Sequence, residues 1–234
     1  MERTKTFDEH TVLDKAVHLF WEKGFLATSA EDLVSTLGIC RASLYDIYGD
    51  KRELFIKSLK KYIAEQSEPL ISFLLTSDDA KSNIAKVFND IIVADNAKYG
   101  CLIGNTSVEF SGQDLEIQSL IENNNDKIVN ALSTVIKKSQ TNGKMSNKTN
   151  SDNLAQFIFN NILGLWVSLR AGTSGVYIHL EIFRFTEQSI NIVCQGLREL
   201  KRYLIQNAFP SQADEIRFFK EIKPSIYKQT NLLY

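Results

Sequence analysis

Apolar residues return every third or fourth position along almost the whole of this chain, and only three prolines and eleven glycines interrupt them. That periodicity gives each segment one apolar stripe and leaves no alternating run that would pair as strands, so an all-α fold is expected. With 234 residues, 44% of them hydrophobic, the chain is long enough to bury a sizeable core. No window approaches the roughly eighteen consecutive apolar residues of a membrane span, and the opening MERTKTFDEH lacks the apolar centre of a secretory signal. A soluble, cytoplasmic protein without a membrane partner is the expectation. Cys40, Cys101 and Cys194 are odd in number, far apart and outside any C-x-x-C pair, which suggests free thiols rather than a disulfide framework or a zinc site. Neither a metal nor a cofactor is expected.

Helix boundaries follow from caps and stops. A capping box at Thr6-Phe7-Asp8-Glu9 opens a helix carrying Leu13, Ala16, Val17 and Phe20 on one face, and Gly24 ends it. A second box, Thr28-Ser29-Ala30-Glu31, opens a helix that Gly38 ends. Arg41 to Tyr48 then make barely two turns, and Asp50-Lys51-Arg52-Glu53 starts a longer helix that runs toward Pro69. Later helices are marked by Ile84 to Ile92, by Cys101 to Phe110, and by Leu115 to Ile136 with a candidate bend at Asn123 to Asn125. The polar run Gln140 to Ser151 reads as a loop. Two strongly apolar helices follow, about Asp152 to Ala171 and Tyr177 to Gln206, and an amphipathic segment lies beyond Pro210.

A two-turn helix is not stable alone, so Arg41 to Tyr48 must be propped by its neighbours through Leu44 and Ile47. Arg41, Ala42, Ser43, Tyr45 and Asp46 are left facing mostly outward. Helix, glycine-containing turn, second helix is the arrangement in which the second helix enters the major groove of DNA N-terminus first. Arg41 can reach guanine O6 and N7, Ala42 permits close approach or touches a thymine methyl, and Ser43 and Tyr45 can donate to phosphate. Lys51 lies in the first turn of the next helix, where outward amides and the dipole favour an anion, and Thr28 stands at another helix start. Taken singly, Lys51 is an ordinary surface lysine and Thr28 a cap; together at this spacing they argue for a phosphate-facing surface. The formal net charge of −1 gives no help, yet Gly38 to Lys61 holds six basic residues against three acidic ones.

FDEHTVLDKAVHLFWEKGFLATSAEDLVSTLGICRASLYDIYGDKRELF, Phe7 to Phe55, resembles the N-terminal DNA-binding domain of the tetracycline-repressor (TetR) family of bacterial regulators. The resemblance rests on the Ala16 to Phe20 spacing, on KGF, TS and LG, and above all on SLYDIYGDKRELF. YGCLIGN, Tyr99 to Asn105, is similar to a sequence found in ligand domains of the family. The resemblance implies an all-helical homodimer whose N-terminal helix-turn-helix domains bind a palindromic operator in double-stranded DNA. It also implies a larger C-terminal helical domain for dimerisation and for a small-molecule effector that releases the DNA. Arg41 and Ala42 match the family's base-reading positions; Ser43, Tyr45, Lys51 and Thr28 match positions that touch phosphate. Cys40 stands where a Ser or Thr cap is usual, and Asp46 places a carboxylate on the short helix, facing either away from phosphate or toward a cytosine amino group.

The expected organisation is residues 1–66 for the DNA-binding domain, 67–208 for the ligand-binding and dimerisation domain, and 209–234 for a tail. Aromatic residues of the second domain suggest a pocket for a largely apolar molecule, with Phe88, Ile92, Tyr99, Phe110, Phe157 and Trp166 as candidate lining. The apolar faces of the last two long helices exceed what one subunit would cover, so Ile158, Gly164, Ile190, Val193 and Leu197 are expected at a homodimer interface of four-helix-bundle type. Catalysis is not expected: His10, His18 and His179 join no Ser-His-Asp, H-E-x-x-H or phosphate-loop pattern. A rival regulatory reading makes Cys101, near a helix N-terminus that would lower its thiol pKa, a redox or electrophile sensor.

Overall fold

The computed structural model describes residues 8–110 and 112–172. Among them the chain is helical, without strands: α1 (Glu9–Lys23), α2 (Ala30–Leu37), α3 (Arg41–Tyr48), α4 (Lys51–Tyr62), a π-helical turn (Ile63–Ser67), α5 (Glu68–Leu75), α6 (Ala80–Val93), a short 3₁₀ turn (Ala97–Tyr99), α7 (Leu102–Phe110), α8 (Leu115–Thr141) and α9 (Ser151–Arg170). The expected helix at 177–206, the segment after Pro210, Cys194 and the interface candidates Ile190, Val193 and Leu197 lie outside the described residues.

Caps fix most starts, with two corrections. The cap of α1 is Asp8, whose carboxylate accepts from the amides of His10 and Thr11, rather than a box begun at Thr6. The capping box of α2 is one residue later than expected: Ser29 and Asp32 exchange side-chain-to-backbone bonds. Thr28 has turned inward and donates its hydroxyl to the Gly24 carbonyl at 2.6 Å. Pro69 does not end the fourth helix either. The chain passes through the π-helical turn, where the Glu68 amide reaches back to the Ile63 carbonyl, and Pro69 sits in the first turn of α5, where a missing N–H costs little. Helix α8 runs unbroken through Asn123 to Asn125.

The first three helices and α4 close around Phe20, Leu33, Leu44, Leu54 and Phe55, all 2% exposed or less. Each such side chain contributes about 1.5–3 kcal/mol by leaving water. This core does not stop at α4: Leu102 and Ile103 of α7 and Ile117 and Ile121 of α8 belong to the same cluster. Phe110 stacks on Phe55 with ring centroids 5.6 Å apart and meets Phe25 at 5.1 Å. Farther along, α8 packs against α5, α6 and α9, and α9 turns Leu154, Ile158, Ile162, Leu165 and Leu169 inward.

Candidate nucleic-acid interface

Helix α3 is held from behind. Leu44 and Tyr48 are buried, and Lys57 of α4 donates to the Ile47 carbonyl at 3.4 Å while lying over the Tyr48 ring. Helix α2 ends at Gly38, and α3 opens at Cys40, whose sulfur lies 3.2 Å from the Ser43 hydroxyl. The opposite face is open. Arg41, Ala42, Tyr45 and Asp46 are exposed and Ser43 is half-buried. The Arg41 guanidinium is 6.0 Å from the centre of the Tyr45 ring and 3.8 Å from the Glu31 carboxylate, so a cation and a phenol share one outward surface.

Ion pairing decides which of the nearby cations could meet phosphate. Arg52 is taken by Asp114 at 2.6 Å, by Glu53 at 2.9 Å and by Glu116 at 3.1 Å; Lys60 faces Glu116 at 3.6 Å. Lys61 lies among Asp14, Glu65 and His10, at 2.9, 2.6 and 3.1 Å, so the ammonium occupies the centre of that His-Asp-Glu group. Among the described residues, Lys51 and Lys57 are left without a carboxylate partner, and Arg41 keeps only the long, exposed contact to Glu31 at 3.8 Å. Lys51 follows the Asp50 cap and is half-buried, with its ammonium 4.3 Å from the centre of the Phe25 ring. Thr28, by contrast, is 1% exposed, with its hydroxyl turned to Gly24. A side chain so covered does not reach a backbone phosphate, and Thr28 is removed from the candidate contacts.

Sequence reading missed the groups that hold this surface to the following helices. Glu109 of α7 accepts from the amides of Phe25 and Leu26 at 2.9 and 2.6 Å, fixing the loop between α1 and α2. Arg52 makes two bonds to Asp114, the cap of α8. Arg170, at the end of α9, donates to the carbonyls of Trp21, Glu22 and Tyr99, and Trp21 Nε1 donates to the Gly100 carbonyl at 2.8 Å. Partners more than sixty positions apart carry no local signature; the excess of charged residues near α4 was the one available hint.

The six pocket candidates do not form one group. A cleft of about 250 Å³ is lined by Phe25, Leu26, Arg52, Glu109, Phe110, Gln113 and Asp114, and only Phe110 of the six contributes to it. Tyr99 packs on His18 and Trp21. Phe110 and Tyr99, both half-buried, pack on aromatic rings of the first helices and of the loop between α1 and α2, at the joint with the rest of the chain. Phe88 is buried and Ile92 half-buried on α6; Phe157 and Trp166 are half-buried on α9. Ile158 is 4% exposed, so it is core within this chain rather than surface for a partner, whereas Gly164 is exposed with no atom within 4 Å of where a Cβ would stand. The sensor reading of Cys101 is not favoured: its sulfur packs against the Tyr62 hydroxyl and the Gly104 amide, and burial raises its thiol pKa, the reverse of the activation expected at a helix start.

Comparisons with known proteins agree with this arrangement. Residues 12–57 match the family model of bacterial regulatory proteins of the tetR family, and residues 82–179 match the tetracyclin repressor-like C-terminal domain. The chain is 31% identical over 170 residues to the uncharacterized HTH-type transcriptional regulator YezE of Bacillus subtilis strain 168, covering 70% of this chain and 87% of that one. It is 27% identical over 176 residues to the HTH-type transcriptional repressor ComR of Escherichia coli K12, covering 74% and 84%. Among solved structures, a cysteine-substituted form of the regulator CifR bound to a 26-base-pair operator duplex superposes with a TM-score of 0.71 at 19% identity, covering 80% of this chain and 98% of that one. At that identity the likeness concerns the fold.

Proposed function

The chain belongs to the TetR family of bacterial regulatory proteins, and from that premise we propose that it is a repressor that grips a palindromic operator as a homodimer and lets go when a small, largely apolar molecule binds its second domain. The exposed N-terminal half of α3 carries the proposal, because Arg41 and Tyr45 stand outward on a helix that buries Leu44 and Tyr48 on its other side. Arg41 and Ala42 read bases; Ser43, Tyr45 and Lys51 hold phosphates, with Lys57 a neighbouring cation. The DNA-binding domain spans 1–66, the effector and dimerisation domain 67–208, and a tail 209–234. The protein works in the cytoplasm on DNA and is no enzyme. ComR being a repressor and CifR being bound to operator DNA both support the reading.

Dimerisation gives the function its geometry. Two α3 helices about 34 Å apart, or a multiple, meet successive major-groove faces, and an effector that binds one spacing better than another shifts the equilibrium away from DNA. Gly164, with Ile190, Val193 and Leu197 of the following segment, is the proposed contact between copies. Footprinting and salt titration on the DNA upstream of the protein's own gene test the reading. Arg41→Ala should cost about 1–3 kcal/mol of discrimination at one base position, whereas Lys51→Ala should weaken binding to all sequences and reduce the salt slope by about 1. Wild-type protein that leaves no footprint, or variants that bind as it does, would refute the assignment.

A further inference from the structure

We propose that Asn124 is the polar anchor of the effector site, and that the effector carries a hydrogen-bond donor, O–H or N–H, on an otherwise apolar body. The inference rests on the reading of the chain as an effector-responsive regulator. The buried face of α8 runs Ile117, Ile121, Asn124, Ile128, Ala131, Val135: one amide in an apolar stripe. Asn124 is 4% exposed. Its Nδ2 makes one long bond to Asn125 Oδ1 at 3.5 Å, and its Oδ1 is the buried side-chain polar atom that has no partner among the described residues. Buried carbonyl oxygens are nearly always satisfied. Several other buried polar side chains are bonded: Thr28, Ser58, Thr106 and Ser139 donate to carbonyls at 2.5–2.8 Å, and Asn83 donates to the Leu74 carbonyl. An acceptor left over in an apolar stripe is suited to a donor brought by a ligand.

The backbone packed against α8 adds a second sign. Helix α8 packs against the π-helical turn at Ile63–Ser67 and against α5. Tyr62 and Ile63 share a cluster with Ile117, Leu120 and Ile121, and Asn124 follows Ile121 by less than a turn. A π-helical turn inside a helix is uncommon and is found disproportionately at functional sites. Helix α8 also connects the two ends of the mechanism: Asn124 lies ten residues after Asp114, about 15 Å along the axis, and Asp114 holds Arg52 beside Lys51. A donor that draws on Asn124 thus loads the helix whose first residues grip the DNA-binding module.

Two isomeric probes separate the donor from the apolar body: 1-octanol, which has one, and heptyl methyl ether, which does not. Thermal denaturation and anisotropy on upstream DNA are measured with each probe on full-length wild type and on Asn124→Leu. In wild type, 1-octanol should raise the melting temperature and release DNA at about tenfold lower concentration than the ether. In Asn124→Leu the two isomers should act alike; the ratio within each protein is read, so a general change in affinity cancels. Should Asn124→Leu not fold, Asn124→Ala is read in the same way. Isomers acting alike on wild type, no effect of either probe, or a preference that survives the substitution would overturn the anchor, as would an acceptor serving only a structural water. Wild type that binds no upstream DNA would instead sink the regulator reading itself.

Discussion

Gly24 shows how one residue serves two structures. It ends α1 at φ 84° and ψ 172°, a conformation that costs a side-chain-bearing residue about 1–3 kcal/mol. A Cβ there would also stand 3.2 Å from both oxygens of Glu109, the carboxylate that holds the two amides following Gly24. Gly24→Ala should therefore lower stability by at least that amount, measured as a fall in the urea midpoint with an unchanged slope; an unchanged midpoint would mean that the loop is not gripped as described. As a helix stop Gly24 was legible in the sequence, because glycine after an amphipathic run is a local signal. Glu109 was not, since its partners lie more than eighty positions away. Thr28 failed for a related reason. Thr28 to Glu31 and Ser29 to Asp32 both fit a capping box, and only the burial of Thr28 decides between them.

Between elements, the link from α4 to α8 is electrostatic and so has a pH dependence. Arg52 holds the Asp114 carboxyl down to about 2, and the amides of Ile117 and Glu116 assist. A carboxyl lowered in the folded state takes up a proton more readily when the chain is unfolded. Its contribution is therefore complete above the unfolded pKa of about 4 and is lost as pH falls toward 2. Asp114→Asn isolates this effect, because asparagine caps a helix about as well as aspartate while carrying no charge. Acid titration of stability should show a shallower loss between about pH 4 and pH 2 in the variant than in wild type, and parallel curves would assign the acid sensitivity elsewhere. The apolar stripes and the glycine stops were readable: α1 and α2 end at Gly24 and Gly38, and α3 spans Arg41–Tyr48. The pattern was not readable at Pro69, which looked like an end because a proline breaks a helix interior; the π-helical turn moves it into a first turn, where it is tolerated. Nor was the covering of Ile158 visible, since periodicity shows that a face is apolar without showing which helix buries it.

At the scale of the molecule, the DNA-binding helices are not a separate body resting on the rest. Phe25, Phe55 and Phe110 form one aromatic group across the joint, Leu102 and Ile117 complete the core of the first helices, and Arg170 donates to the last carbonyls of α1. A surface held by that much shared packing should not turn freely on a linker, and a shift of α7 or α8 should then reach α3. The same coupling should make unfolding of the described helices a single event. The two tryptophans report on both sides of it: Trp21 lies at the joint, and Trp166 lies on α9, four residues before Arg170. In Trp166→Phe, the fluorescence of Trp21 should follow the same urea transition as the far-ultraviolet circular dichroism, and in Trp21→Phe that of Trp166 should do likewise. The comparison is made within each variant, because Trp21→Phe also removes the bond to Gly100 and lowers the midpoint. If Trp21 loses its environment at lower urea than the helices as a whole, the first helices open on their own, and movement reaches DNA through a loose hinge instead of a shared core.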